Sequence, residues 1–135
     1  MANTKDAWGT DPNAAYTEAL HRISIAATSD DPKVYETLNF SDLTALETLP
    51  PEITTLTKLK RLYCQNPRES CRLSDISALR NARSLEVLDI GDSQISDLEP
   101  LRALTALTSL DMRSTQISDS TQLANLPALT SLDMR

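Results

Sequence analysis

The sequence predicts an α/β solenoid. Short parallel strands line a concave face, short helical, 3-10 or irregular segments form the convex face, and a helix caps the first strand. Three observations carry this reading. The heptapeptide Leu107-Thr108-Ser109-Leu110-Asp111-Met112-Arg113 returns unchanged 22 residues later as Leu129 to Arg135. Leucine supplies 21 of 135 residues, whereas glycine occurs twice and aromatics make up 4%. Apolar positions recur in phase through most of the chain, which is the signature of stacked supersecondary units.

The units run backwards from the identical pair. Leu85-Glu86-Val87-Leu88-Asp89-Ile90-Gly91 precedes it by 22 residues, Leu59-Lys60-Arg61-Leu62-Tyr63-Cys64-Gln65 by a further 26, and Tyr35-Glu36-Thr37-Leu38-Asn39-Phe40-Ser41 by a further 24. The second halves align as well: Leu73 with Ile95 and Ile117, Asp75 with Asp97 and Asp119, Leu79 with Leu101 and Leu123. The shared L-x-x-L-x-L resembles the leucine-rich repeat family. Ile95-Ser96-Asp97-Leu98-Glu99-Pro100-Leu101 is similar to its 22-residue internalin-like class. Leu46-Glu47-Thr48-Leu49-Pro50-Pro51-Glu52-Ile53 is similar to the bacterial L-x-x-L-P-x-x-I class. The resemblance covers roughly residues 34 to 135. It implies a leucine-rich repeat solenoid in which alternate strand residues point inward. One unit cannot bury its own apolar face, but stacked copies form a continuous core.

Taken in order, residues 1–10 lack periodicity and read as a flexible arm. Residues 11–33 form the capping segment. Asp11-Pro12 is an N-cap followed by Pro at the first helical position, and Ala15, Ala19, Leu20, Ile23 and Ala26 follow at helical spacing up to about residue 27. Its expected task is to cover the first strand's edge. Residues 34–135 hold about four complete units and a partial fifth strand.

Two features depart from the family pattern. The family usually places Asn after the strand, where it ties neighbouring backbones together. Counted from the strand, that column here reads Leu43, Pro67, Ser93 and Thr115. The hydroxyls replace part of that bonding, and Leu43 and Pro67 cannot, so the ladder is expected to be weak on the N-terminal side. The unit starting at Leu59 is also four residues too long, within the polar stretch Gln65 to Arg72. That excess reads as a protruding loop, either neutral or on a binding face.

Chemistry-bearing constellations are scarce. The formal charge of −6 with no basic block argues against nucleic-acid and anionic-membrane partners. Two glycines cannot build a phosphate loop, and no eighteen-residue apolar run exists. The polar N-terminus lacks a signal-peptide core, which favours a cytoplasmic protein or secretion without a cleavable signal. The single histidine, His21, has no partner in its own segment and reads as a surface residue. Cys64 takes an inward strand position, and Cys71 falls in the long loop. Their spacing is not that of a zinc site, and a disulfide between them stays open. No catalytic, cofactor or metal site is expected.

The candidate protein-binding surface is the concave face: Arg61, Tyr63, Gln65, Val87, Asp89, Ser109, Asp111, Arg113, Asp133 and Arg135. It reads either as a self-neutralised solvated strip or as a recognition strip anchored on Tyr63 and Arg61. The chain stops at Arg135 inside the fifth strand. Leu129, Leu132 and Met134 are therefore a candidate self-association edge, and the chain reads as the N-terminal fragment of a longer protein. The expected function is a non-enzymatic protein-recognition module. The resemblance implies that such arrays are often joined to signalling, protease-like or nucleotide-switch domains. The alternatives are the targeting domain of a bacterial effector delivered into host cells, or an assembly module pairing end to end.

Overall fold

The computed structural model describes residues 7–65, 71–113 and 129–133. Within them the chain forms helix α1 (Pro12–Thr28), the short helix α2 (Pro32–Tyr35), and five strands. The strands are β1 (Thr37–Asn39), β2 (Arg61–Tyr63), β3 (Val87–Asp89), β4 (Ser109–Asp111) and β5 (Ser131–Asp133). The 3-10 turns η1 (Pro51–Thr55), η2 (Ser77–Asn81) and η3 (Glu99–Leu101) return the chain along the convex side.

The strands pair parallel in sequence order without a shift, so Leu38, Leu62, Leu88, Leu110 and Leu132 lie side by side. The start of each strand is joined the same way. The carbonyl of Glu36 accepts from Lys60 and Arg61, that of Lys60 from Glu86 and Val87, and that of Glu86 from Thr108 and Ser109. Past the strand ends the rungs continue, from Phe40 N to Tyr63 O, Cys64 N to Asp89 O and Ile90 N to Asp111 O. The short strands thus alternate inward leucine with outward polar residues, as a two-residue period requires.

The convex segments follow a period of three. Leu98, Leu101, Leu104 and Leu107 are all buried, and each of the last three donates its amide to the carbonyl of the one before. Ile76, Leu79, Ala82 and Leu85 repeat the arrangement, as do Ile53, Leu56 and Leu59. Apolar residues three apart stack on one face only at three residues per turn, which is 3-10 geometry. Two of these turns, η2 and η3, open on aspartates: Asp75 Oδ1 accepts from Ser77 N, and Asp97 Oδ1 from Glu99 N, both at 2.9 Å.

At the N-terminal end, α1 buries Ala15, Ala19, Ile23 and Ala26. Three alanines on that face let the helix approach closely. Asp11 caps it by accepting from Asn13 N at 2.9 Å. The same Asp-Pro device recurs at Asp31, which accepts from Lys33 N at 3.0 Å and starts α2, a turn that the periodicity did not announce.

The segment expected as a free arm is docked over residues 7–10. The Trp8 carbonyl accepts from Ala45 N at 2.9 Å, and the Trp8 ring packs against the core. The ring lies 5.0 Å beneath the Arg22 guanidinium. An indole with a cationic partner has more to gain from the surface of the stack than from water. Residues 1–6 lie outside the described part. Arg22 also reaches Glu18 at 2.8 Å, Asn39 O at 2.8 Å and both carboxylate oxygens of Asp42 at 2.7 and 3.0 Å. Its hydrogen bonds to Asp42, ahead of those to Glu18, raise the guanidinium's affinity for its proton. One side chain thereby ties the capping helix to the end of β1.

The column after the strand differs from the expectation. Cys71, not Pro67, holds the position equivalent to Ser93. Ser93 Oγ donates to Ile90 O at 2.6 Å, and Cys71 Sγ donates to Cys64 O at 3.0 Å. The added residues precede Cys71, so counting forward from the strand lands on the insertion instead of the repeat position. At this unit a thiol therefore makes the within-unit bond, and the Cys71 amide ties the unit to the next by donating to Asp92 O at 2.8 Å. Leu43 supplies its backbone, donating its amide to Phe40 O at 2.9 Å. Thr115 and Pro67 lie outside the described residues.

The leucine layers set the stability. Replacing Leu62, which is fully buried, with Ala is expected to cost about 2–5 kcal/mol. Replacing Leu132, which is 42% exposed, is expected to stay within about 0.5 kcal/mol. Urea denaturation midpoints check this, and similar losses in both variants would contradict the layered core.

Candidate functional site: the concave strip

The strand register lays the concave residues out in columns. Thr37, Arg61, Val87, Ser109 and Ser131 form the first, and Asn39, Tyr63, Asp89, Asp111 and Asp133 the second. Gln65 and Arg113 flank Gly91 in the third, while Arg135 lies outside the described residues. In the first column Arg61 donates to Thr37 Oγ1 at 3.2 Å and stands 3.9 Å from Glu36. At the fifth strand Leu129 packs partly buried against the core and Leu132 is exposed. Met134 lies outside the described residues.

The acidic column has a structural task that the residue types alone did not reveal. Asn39 Oδ1 accepts from Ser41 N at 2.9 Å and from Ser41 Oγ at 2.6 Å. Asp89 Oδ1 accepts from Gly91 N at 3.3 Å, and Asp111 Oδ1 from Arg113 N at 3.2 Å. Each is an Asx turn that closes off its strand by capturing the amide two residues on. The signal was present as Asn or Asp recurring at the last strand position. Tyr63 breaks the column, since a phenol on that stem cannot make the turn.

The arginine column is neutralised locally. Arg113 Nε and NH2 reach the two carboxylate oxygens of Asp111, two residues back along the chain, at 3.1 and 3.0 Å. Arg113 also extends over Gly91 to Gln65 Oε1 at 3.3 Å, and Gln65 Nε2 donates to Asp92 Oδ2 at 2.9 Å. A Cβ on Gly91 would lie 3.0 Å from Gln65 Cδ and 3.2 Å from the Arg113 carbonyl. The missing side chain is what lets residues two strands apart meet. Beside it, Asp92 holds φ of 56°, a left-handed conformation that Asp tolerates better than most residues.

Electrostatics separates the acids. Asp89 is pushed above the usual carboxylate range, first by burial and then by the charge of Asp111, against the opposing Gly91 amide. Asp75 is pulled below it by the hydroxyl and amide of Ser77. His21 is exposed on α1. Among the described residues no group of three His, Cys, Asp or Glu side chains could hold a metal ion. No helix there is long and apolar enough to cross a membrane.

Three variants test these assignments, two on the strip and one, Asp75, at the start of η2. A raised folded carboxyl adds stability below the ordinary carboxylate range and loses it as pH climbs through the raised value; a lowered one does the reverse. Asp89→Asn should therefore raise the neutral-pH melting temperature and lose that advantage in acid. Asp75→Asn should lower the melting temperature at neutral pH and be silent in acid. Calorimetry across pH checks both signs. Gly91→Ala should destabilise by about 1 kcal/mol through crowding at Gln65 and Arg113. Double-mutant analysis with Gln65→Ala should relieve part of that cost, and full additivity would rule out the crowding.

A family model described as Leucine Rich repeats (2 copies) matches residues 83–125. Among solved structures, an internalin (inlF) from Listeria monocytogenes is 31% identical, with a TM-score of 0.54. The match covers 68% of this chain and 29% of that one, so the chain spans less than a third of the internalin's length. An internalin C2 (inlC2) from the same organism aligns with 98% of this chain and 77% of its own, at 21% identity and a TM-score of 0.39. No curated protein matches the chain.

Proposed function

For this chain, a leucine-rich repeat solenoid similar to bacterial internalins, we propose a non-enzymatic protein-recognition role exercised through the N-terminal half of the concave strip. Arrays of this kind are protein-interaction modules in general. The observation that carries the narrower reading is the division of labour along the central column. Asn39, Asp89 and Asp111 are engaged in closing their own strands, while Tyr63 stands in the same register and makes no such turn. Tyr63 sits half-buried beside Arg61, and Tyr and Arg are the residue types that most often anchor protein interfaces. We propose further that the module belongs to a longer protein of signalling or sensor type and works in the cytoplasm.

The test is affinity capture followed by mass spectrometry with three forms of the chain. The Arg61→Ala/Tyr63→Ala double variant should lose the captured protein at least tenfold while keeping the circular dichroism spectrum. Arg80→Ala, an exposed change on the convex turn η2, should capture as the parent does. Full retention by the concave variant would remove this surface as the recognition site.

A further inference from the structure

Cys64 and Cys71 are the chain's two cysteines, and both are buried in the thiol form. Neither place requires sulfur. Cys64 fills the inward slot that Ile90 and Met112 fill in the following units. Cys71 makes the bond to the preceding carbonyl that Ser93 makes at its own, and a thiol is the weaker donor. Yet both sulfurs occur in the one unit that carries four extra residues.

The fold also holds them together. Cys71 Sγ lies 3.0 Å from the carbonyl oxygen of Cys64, the residue whose side chain bears the second sulfur. Both backbones are fastened to the same neighbouring unit: Cys64 N donates to Asp89 O and Cys71 N to Asp92 O, each at 2.8 Å. The acceptors stand three residues apart, so both cysteine backbones are anchored to one short stretch of the next unit.

We propose that Cys64 and Cys71 form a dithiol–disulfide pair, which closes the ring of residues 64–71 when the chain meets an oxidising thiol–disulfide couple. With oxidised glutathione the Cys71 thiolate attacks one glutathione sulfur and expels a glutathione thiolate. The Cys64 thiolate then attacks Cys71 Sγ and expels the second. The two protein thiols lose two protons and two electrons, and two glutathione thiols appear. Burial, then the nearby charge of Cys71, pushes the Cys64 thiol far up, so exchange proceeds through local opening of the unit. A reducing compartment keeps the dithiol, with its bond from Cys71 to the Cys64 carbonyl; an oxidising one keeps the crosslink.

The experiment equilibrates the full reduced chain in graded mixtures of reduced and oxidised glutathione, in native buffer and in denaturing urea. Acid quenching preserves the products. The crosslink is read as a mass loss of about 2 Da and located by peptide mapping. The fold should favour it by about tenfold or more in equilibrium constant over the unfolded chain, equivalent to about 30 mV. The crosslinked chain should melt roughly 5 °C higher than the reduced one. Cys71→Ser should fold with an unchanged circular dichroism spectrum, because Ser93 shows a hydroxyl making the same bond, and should yield no crosslink. An equal or smaller constant in native buffer than in urea overturns the proposal. So does a product consisting only of glutathione adducts or of dimers joined between chains.

Discussion

Everything in this molecule depends on strands pairing without a shift. A shift of one residue would turn Leu62 or Leu88 outward and bring Arg61 or Val87 in, because side chains alternate between faces. Since each layer must match the thickness of its neighbours, the core is built almost wholly of Leu, Ile and Ala, with Phe40 at the N-terminal end. The same demand explains where length variation is tolerated. The extra residues of the second unit fall between Cys64 and Cys71, and the repeat resumes its phase at Leu73, which is buried like Ile95.

Such a stack creates a recurrent need for acceptors at the ends of its short strands and turns, and aspartate meets it. Asp11, Asp31, Asp75, Asp89, Asp97 and Asp111 each accept a backbone amide two residues ahead. Asp11, Asp31, Asp75 and Asp97 open helices and turns, while Asp89 and Asp111 close strands. Six of the nineteen acidic residues thus serve the architecture, and the concave Asp89 and Asp111 are first of all strand terminators.

The solenoid, its strands and the inward leucine ladder were legible from residue spacing, because they depend on contacts that repeat at a fixed interval. The Ile76, Leu79, Ala82, Leu85 series could likewise have been read as 3-10 from its period of three. What escaped was particular to one place. Trp8 docks through Ala45 and Arg22, and Arg22 meets Asp42 twenty residues away, contacts that no periodicity encodes. Cys71 was misassigned because an insertion shifts the count on one side only. On the concave strip the columns were legible from register, but the loads on them were not. The Asx turns and the Arg113–Gln65 contact over Gly91 depend on side-chain directions that appear only once strands are laid side by side.

The in-register ladder also bears on how the chain reaches its fold. Each strand pairs with one 22 to 26 residues earlier, as the partners Thr37, Arg61, Val87, Ser109 and Ser131 show. That separation stays constant however many units are added, so the chain entropy spent on each new contact does not grow with length. Assembly becomes a process of accretion in which any formed layer templates the next, and its speed is governed by the first pair of layers to meet. A mistake in one layer then propagates to its neighbour alone, which lets the unit with the cysteines accept added residues while the units on either side keep their geometry.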